Sequence, residues 1–322
     1  MKLRMRIACL TGLLLLPVAA AAQDFPNQPI RYVVPFPAGG PADTMSRVLV
    51  ETMSKVIGQT IVIETRSGAG GMTGVASVAK SDPNGYTIGI AASSALAMNV
   101  SLRKDMPFHP LKDLALITQL VSVPELLVVN ENVPAKTLAE LIALAKAQPG
   151  RLTFASTGVG GMPYMAMELL KLTAKIDVVH VPYTGAAPAV NNLIGGHVQM
   201  MFADVPILQG PVLSGKLRAL AIGSKTRYAG LPTVPTTAEL GMPEVEADNW
   251  YGLVAPINTP QPVLARLQAA AAEALRSPEV KDRLAKQGAV AVGNSSAEFK
   301  SYVTREIERW ARVIKTAGIK PN

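Results

Sequence analysis

The chain has 322 residues, 49% of them hydrophobic, a formal net charge of +8 and a single cysteine. That length can bury a core of about two domains, and one cysteine excludes a disulfide framework and a cysteine-ligated metal. The basic residues are scattered, with no Lys/Arg block interleaved with aromatics, so nucleic acid is excluded as a partner class.

The first stretch reads as a secretory signal peptide. Lys2, Arg4 and Arg6 precede an apolar run over residues 10–22, and Ala20, Ala21 and Ala22 offer small residues for cleavage after Ala22. The run is too short to span a membrane, so residues 1–22 are expected to be removed and the protein exported. Cleavage removes three cations and also Cys9, which leaves no thiol for catalysis. Cys9 precedes the hydrophobic run, so a lipid anchor there is not expected.

The next run, Ile30-Arg-Tyr-Val-Val34, is a buried strand by composition. Pro35 and Pro37 end it, and Gly39 and Gly40 free the backbone of a loop. Asp43 and Thr44 open an amphipathic helix to about Ile57, closed by Gly58. A strand–glycine loop–helix unit presents unpaired N–H groups at the positive end of a helix dipole, which suits an anion. Taken alone, an ordinary βα turn is the commoner meaning.

Strands follow at residues 60–66 and 86–92, separated by a glycine-rich loop and a helix to about Lys80. This β-α-β-α-β order predicts a mostly parallel sheet flanked by helices. Gly68, Gly70 and Gly74 have one residue too many for a dinucleotide fingerprint, so Gly74 reads as packing under a helix. Apolar runs at 114–121 and 126–130 are strand-like. The opening logic then repeats: a helix capped by Thr137, a strand at 152–155, the loop Ser156-Thr-Gly-Val-Gly-Gly161 and a helix over 162–173. Further strands are predicted at 178–183, 198–202 and 217–222, with helices between. Residues 245–254 look extended. Thr259 with Pro260 starts a helix to Arg276, and Ser295 with Glu298 forms a capping box for the last one.

Two α/β lobes result. Lobe 1 comprises residues 23–123 and 247–322, lobe 2 residues 124–246, and extended crossings near 120–124 and 248–252 form the hinge. Ligands of such sheets sit at the carboxyl ends of the strands.

Several stretches together resemble one family: Pro35-Phe-Pro-Ala-Gly-Gly-Pro-Ala-Asp43, Gly68-Ala-Gly-Gly71, Asp82-Pro-Asn-Gly-Tyr86, His180-Val-Pro-Tyr-Thr-Gly185 and Gly215-Lys-Leu-Arg-Ala-Leu-Ala-Ile222. They are similar in order and spacing to the Bug family, the periplasmic substrate-binding receptors of tripartite tricarboxylate transporters, across essentially the whole mature chain. The resemblance implies an α/β, two-lobed, type II-like periplasmic binding protein fold that closes on a small carboxylate held largely by backbone N–H groups, hydroxyls and waters, without an obligatory arginine clamp. One carboxylate would sit on the loop of Phe36, Ala38, Gly39 and Asp43. A second would sit on Ser156, Thr157, Gly158 and Gly160 with Thr184 and Gly185. Ser93 and Ser94 would add polar contacts, and Asp204 would help select the ligand. Departures from the pattern fall at Gly161, Tyr164 and Val100, where a hydroxyl, a histidine and a proline are frequent.

Alternatives stay open at some positions. Asp204 either caps the following helix or faces the cleft, where it favours an ammonium or hydroxyl on the ligand. Asp43 either caps its helix or orients its loop. Trp250 and Tyr251 are core residues or a cleft wall, with core the simpler reading. His109, His180 and His197 have no metal-ligand spacing, and His180 reads as structural. Ser156 lacks a nucleophile elbow and a nearby base. The expectation is therefore a monomeric receptor without catalytic residues, cofactor or metal. It does not span the membrane, and its partner is a set of membrane transporter subunits or, alternatively, a sensor kinase ectodomain.

Overall fold

The computed structural model describes residues 25–321, so the predicted signal peptide and its cleavage point lie outside the described residues. Strand β1 (Ile30–Val34) leads into α1 (Pro41–Ile57). Gly40, in extended conformation, takes the cap position and Pro41 is the first helical residue, where its missing N–H costs nothing. Asp43 therefore sits in the first turn, and the predicted opening at Asp43 is two residues late. Gly58 closes α1 at φ 78°. Next come β2 (Ile61–Thr65), α2 (Met72–Ala79), β3 (Thr87–Ala92), a π-type turn over Ser94–Met98, α3 (Asn99–Leu102) and α4 (Pro110–Asp113). Gly74 lies in α2. A Cβ there would stand 2.6 Å from the Cβ of Pro35 and 2.7 Å from the carbonyl oxygen of Arg66, so close packing is its reason.

The chain then runs through β4 (Leu114–Asn130), α5 (Leu138–Ala147), β5 (Thr153–Ser156), α6 (Met162–Ala174), β6 (Val179–Pro182), α7 (Ala186–Ile194), β7 (Met200–Asp204), α8 (Val205–Leu213) and β8 (Leu217–Ile222). It returns through β9 (Asp248–Pro256), α9 (Gln261–Arg276), α10 (Pro278–Lys286), β10 (Val290–Ala291) and α11 (Ser296–Thr316). The caps predicted at Thr137 and Ser295 are present. Thr259 does not cap α9: its hydroxyl donates to the Pro256 carbonyl at 2.8 Å, and Pro260 holds the cap position.

The strands order as β2-β1-β3-β9-β4-β7-β5-β6, with β10 and β8 also on β4. The fold is an α/β periplasmic binding fold with a mixed sheet. β2, β1 and β3 are mutually parallel, as are β6, β5 and β7, and antiparallel β9 and β4 join the two groups. The two apolar runs around Pro124 form one 17-residue strand, β4. It continues through a proline because it changes partners there. Residues up to Pro124 pair with β9, and those from Glu125 pair with β7 and, on the other edge, β8. At the junction the N–H of Glu125 donates to Ala247 (3.1 Å), that of Gly223 to Glu125 (2.8 Å) and that of Ala247 to Gly223 (2.6 Å). A missing N–H is tolerated where a ladder is being exchanged.

Strand alternation sorts the β9 aromatics. Trp250 is fully buried, edge-on to Phe299 at 5.9 Å and to Tyr302 at 5.3 Å, and is core as the simpler reading had it. The indole N–H groups of Trp250 and Trp310 both donate to Glu306, at 3.4 and 3.0 Å. Tyr251 points the other way, toward the space between the two parallel groups.

Candidate functional site

That space is a cavity of about 400 Å³ at the carboxyl ends of the parallel strands. One wall comes from the first group of elements: Phe36, Gly70, Ser94, Asn99 and Arg103. The facing wall comes from the second: Thr157, Val159, Gly160, Met162 and Ala186. Asp204, Asn249 and Tyr251 form the floor.

Of the residues singled out from sequence, Phe36, Ser94, Thr157, Gly160 and Asp204 line the cavity. The others stand outside its wall, and hydrogen bonding explains most of them. Ala38 and Gly39 are exposed. The Gly39 N–H is already spent on Asp43 Oδ2 at 2.9 Å, so it is not available to a ligand as expected. Asp43 itself is buried, and its Oδ2 also accepts from Arg47 Nε at 2.9 Å. Of its two readings, it is the loop organiser. Ser93 is fully buried and donates to Asn249 Oδ1 at 3.1 Å, so it acts on the floor through Asn249. Ser156 is fully buried; its hydroxyl accepts the Gly158 N–H at 3.0 Å and lies 2.7 Å from His180 Nε2. His180 is thus a base beside Ser156 where the sequence predicts none, but Ser156 is fully buried and, with Gly158, braces its own loop. His180 stacks on Phe154 at 4.9 Å, the structural role predicted for it. Thr184 and Gly185 precede α7, and Ala186, the first residue of that helix, is the one on the wall.

The 156–161 loop keeps unspent donors. The N–H groups of Thr157, Val159 and Gly160 carry no hydrogen bond among the described residues. Gly158 and Gly160 hold φ 108° and 88°, left-handed values that turn these amides outward and exclude side chains. A Cβ at Gly160 would also stand 3.0 Å from Asn99 Oδ1 and 3.2 Å from Leu102, so the two walls meet here.

The floor is acidic and buried. Asp204 occupies the cap position of α8 but makes no capping bond. Instead it accepts from Asn249 Nδ2 at 3.2 and 3.4 Å, so its cleft-facing reading is the one the geometry favours. Directly across the ladder stands Glu125, fully buried, its carboxyl in hydrogen-bond contact with that of Asp204. Burial pushes the Glu125 carboxyl well above the usual range, and neighbouring Asp204 adds to the rise. Burial raises Asp204 as well, opposed by Glu125 and Asn249. Two adjacent buried carboxyls do not both ionise. Asp204 raises Glu125 while the contact with Glu125 lowers Asp204, so of the two Glu125 is the one that keeps a proton more readily.

Sequence reasoning met Gly70 only in the rejected dinucleotide fingerprint and in a family stretch, and did not single out Asn99, Arg103 or Asn249 as site residues. Arg103 stands in a polar stretch that reads as solvated surface, and nothing local marks Asn249. One stability test concerns Asp43. The Arg47 guanidinium holds its carboxyl below the usual range. Its contribution is thus present above the ordinary carboxylate pKa and lost as pH falls through the lowered value. Asp43→Ala is expected to cost about 1–2 kcal/mol at pH 7 in urea melts, most of it from the Gly39 bond because Arg47 is largely exposed. An unchanged melt would remove Asp43 as loop organiser.

Comparison with known proteins gives consistent matches. The family model described as "Tripartite tricarboxylate transporter family receptor" matches residues 45–319. Protein BugT of Bordetella pertussis is 38% identical over 301 residues, covering 93% of this chain and 92% of the relative. The solved structure of Rhodopseudomonas palustris Rpa4515 with adipate superposes with TM-score 0.83 at 32% identity, covering 93% of this chain and 100% of that one. MatC of the same organism with bound malate superposes with TM-score 0.78 at 33% identity, covering 90% and 100%.

Proposed function

Since the chain belongs to the tripartite tricarboxylate transporter receptor family, we propose that it is a periplasmic solute-binding protein that captures a small carboxylate and delivers it to a membrane transporter of that type. The observation that carries this reading is the cavity itself: both walls supply polar groups, and the Thr157, Val159 and Gly160 amides are unspent. Neutral amides and a helix N-terminus hold a carboxylate without burying an opposing cation, each helix end being worth about 0.3–2 kcal/mol. Relatives of this fold hold adipate and malate, which supports a small organic acid as the ligand.

Lobe 1, residues 23–123 and 247–322, and lobe 2, residues 124–246, would close about the junction of Glu125, Gly223 and Ala247. A ligand touching both walls stabilises the closed form, and one touching a single wall does not. Recognition of the closed form by the transporter then couples capture to delivery. No step requires bond making. Among the described residues no helix is long and apolar enough to cross a membrane, so delivery needs a separate membrane partner.

Thermal melts of the refolded, ligand-free chain against a panel of carboxylates test the reading. Ligand at 100 times its Kd is expected to stabilise by about 2.7 kcal/mol. Stabilisation by neutral sugars and by no carboxylate would overturn it.

A further inference from the structure

The cavity lining holds both a cation and an acid. Arg103, half-buried at the end of α3, lines the wall, and its guanidinium has no ion-pair or hydrogen-bond partner among the described residues. A buried or half-buried arginine is ordinarily paired with an acid or a carbonyl. Arg218, for comparison, donates to three backbone carbonyls, and Arg309 to Glu306 and Glu246. Arg103 follows Asn99 and Leu102, the residues that meet Gly160, so it stands beside the loop whose amides are unspent. The cation and the amides line the same cavity.

The floor supplies the acid. Asp204 shows its carboxyl to the cavity, held by Asn249, which Ser93 in turn fixes. Glu125 stands behind it, fully buried and in carboxyl–carboxyl contact with it. Tyr251 completes the floor. A single negative charge on this pair repels a second ligand carboxylate in a site of low dielectric, whereas a hydroxyl or ammonium finds an acceptor aimed at it.

We propose that the cleft selects a small monocarboxylate carrying a hydrogen-bond donor at its other end, Arg103 holding the carboxylate and Asp204, positioned by Glu125 and Asn249, accepting from the donor. This rests on the carboxylate-capture reading and narrows it. It divides the small acids: an amino or hydroxy acid satisfies both ends, a simple fatty acid only one, and a dicarboxylate meets repulsion at the floor. A dicarboxylate enters by bringing a proton of its own to Asp204, which disfavours it at neutral pH. Glu125 is a positioning residue. Its neutral carboxyl occupies the space behind Asp204 without adding a second charge.

The test is titration calorimetry at pH 7 on the ligand-free full chain with matched straight-chain series of three to six carbons: unsubstituted monocarboxylate, ω-hydroxy acid, ω-amino acid and dicarboxylate. The donor-bearing acids are expected to bind about tenfold or more tighter than the dicarboxylate of the same length. The hydroxy and amino arms identify which donor is preferred. Asp204→Asn, which keeps shape and can itself donate, is expected to shrink or reverse that ratio. Arg103→Gln is expected to weaken every binding acid by about tenfold or more, with Arg103→Lys partly restoring affinity. Glu125→Gln keeps a neutral group and is expected to retain the ratio, whereas Glu125→Asp is expected to narrow it by letting Asp204 shift. Melting temperatures near wild type establish that the variants fold. A dicarboxylate bound more tightly than the donor-bearing acids, or a ratio unmoved by Asp204→Asn, overturns this inference and leaves carboxylate capture standing. Absence of binding by every acid overturns both.

Discussion

Gly252→Ala is expected to destabilise the protein by about 3 kcal/mol, near the upper end for adding one methyl to a packed core. A Cβ at this position would stand 2.1 Å from Cζ and 2.5 Å from Cε1 of Phe299. Neither side can yield. Gly252 lies inside β9, paired on one edge with Ala91 and on the other with Gln119, so its backbone is fixed by two ladders. Phe299 is fully buried and edge-on to Trp250 at an interplanar angle of 89°. Phe299→Ala alone opens a cavity and is expected to cost about 3–5 kcal/mol. The double variant relieves the clash and partly refills the cavity, so its loss should fall well short of the sum. Urea melts of the four proteins check this. Additive losses would show that the methyl and the ring do not meet.

The second large effect is electrostatic. The Oδ1 of Asp248 is buried where β9 pairs with Pro124 of β4, without a hydrogen bond among the described residues. Burial, with help from Glu246 and Glu306, pushes the carboxyl up to about 7 from its ordinary 3.8, against the opposing pull of Ser122 and Lys225. Between those values the folded chain binds the proton more tightly than the unfolded one. The associated stability is therefore fully present below about pH 4 and is lost as pH rises through about 7. The rise corresponds to about 4 kcal/mol at most, reduced by the residue's partial exposure. Glu125 and Asp204 are raised as well, so their contributions have the same sign. Asp248→Asn removes one of the three. It is expected to gain about 2 kcal/mol over wild type at pH 8 relative to pH 5, read from urea melts at the two pH values. Parallel pH profiles for the two proteins would exclude Asp248 as the source.

Much of the molecule follows from local chemistry. Apolar strand runs, the left-handed glycine at position 58, the capping Thr137 and the Ser295–Glu298 box act within a few residues, and each element they predict is present. The repeated strand–glycine loop–helix unit marks both loops that flank the cavity, and the whole-chain resemblance identifies the family. A local pattern also misleads where the tertiary ladder overrides it. The two apolar runs about Pro124 become one strand because the partners change there, which no neighbour in sequence announces.

What the sequence by itself determined is thus the element order, the fold class and the two glycine loops, since each rests on contacts between near neighbours. The tertiary structure decided which groups of those loops remain available. Gly39 and Ser156 look like ligand donors until folding shows their bonds already made to Asp43, His180 and Gly158. Arg103 looks like surface and Asn249 like part of an extended crossing until folding places both on the cavity lining. Asp204 meets Glu125 only through cross-strand register, and Ser93 reaches Asn249 across 156 residues of chain. A polar side chain's role depends on which partner satisfies it first, and in this fold those partners are brought together by non-local pairing.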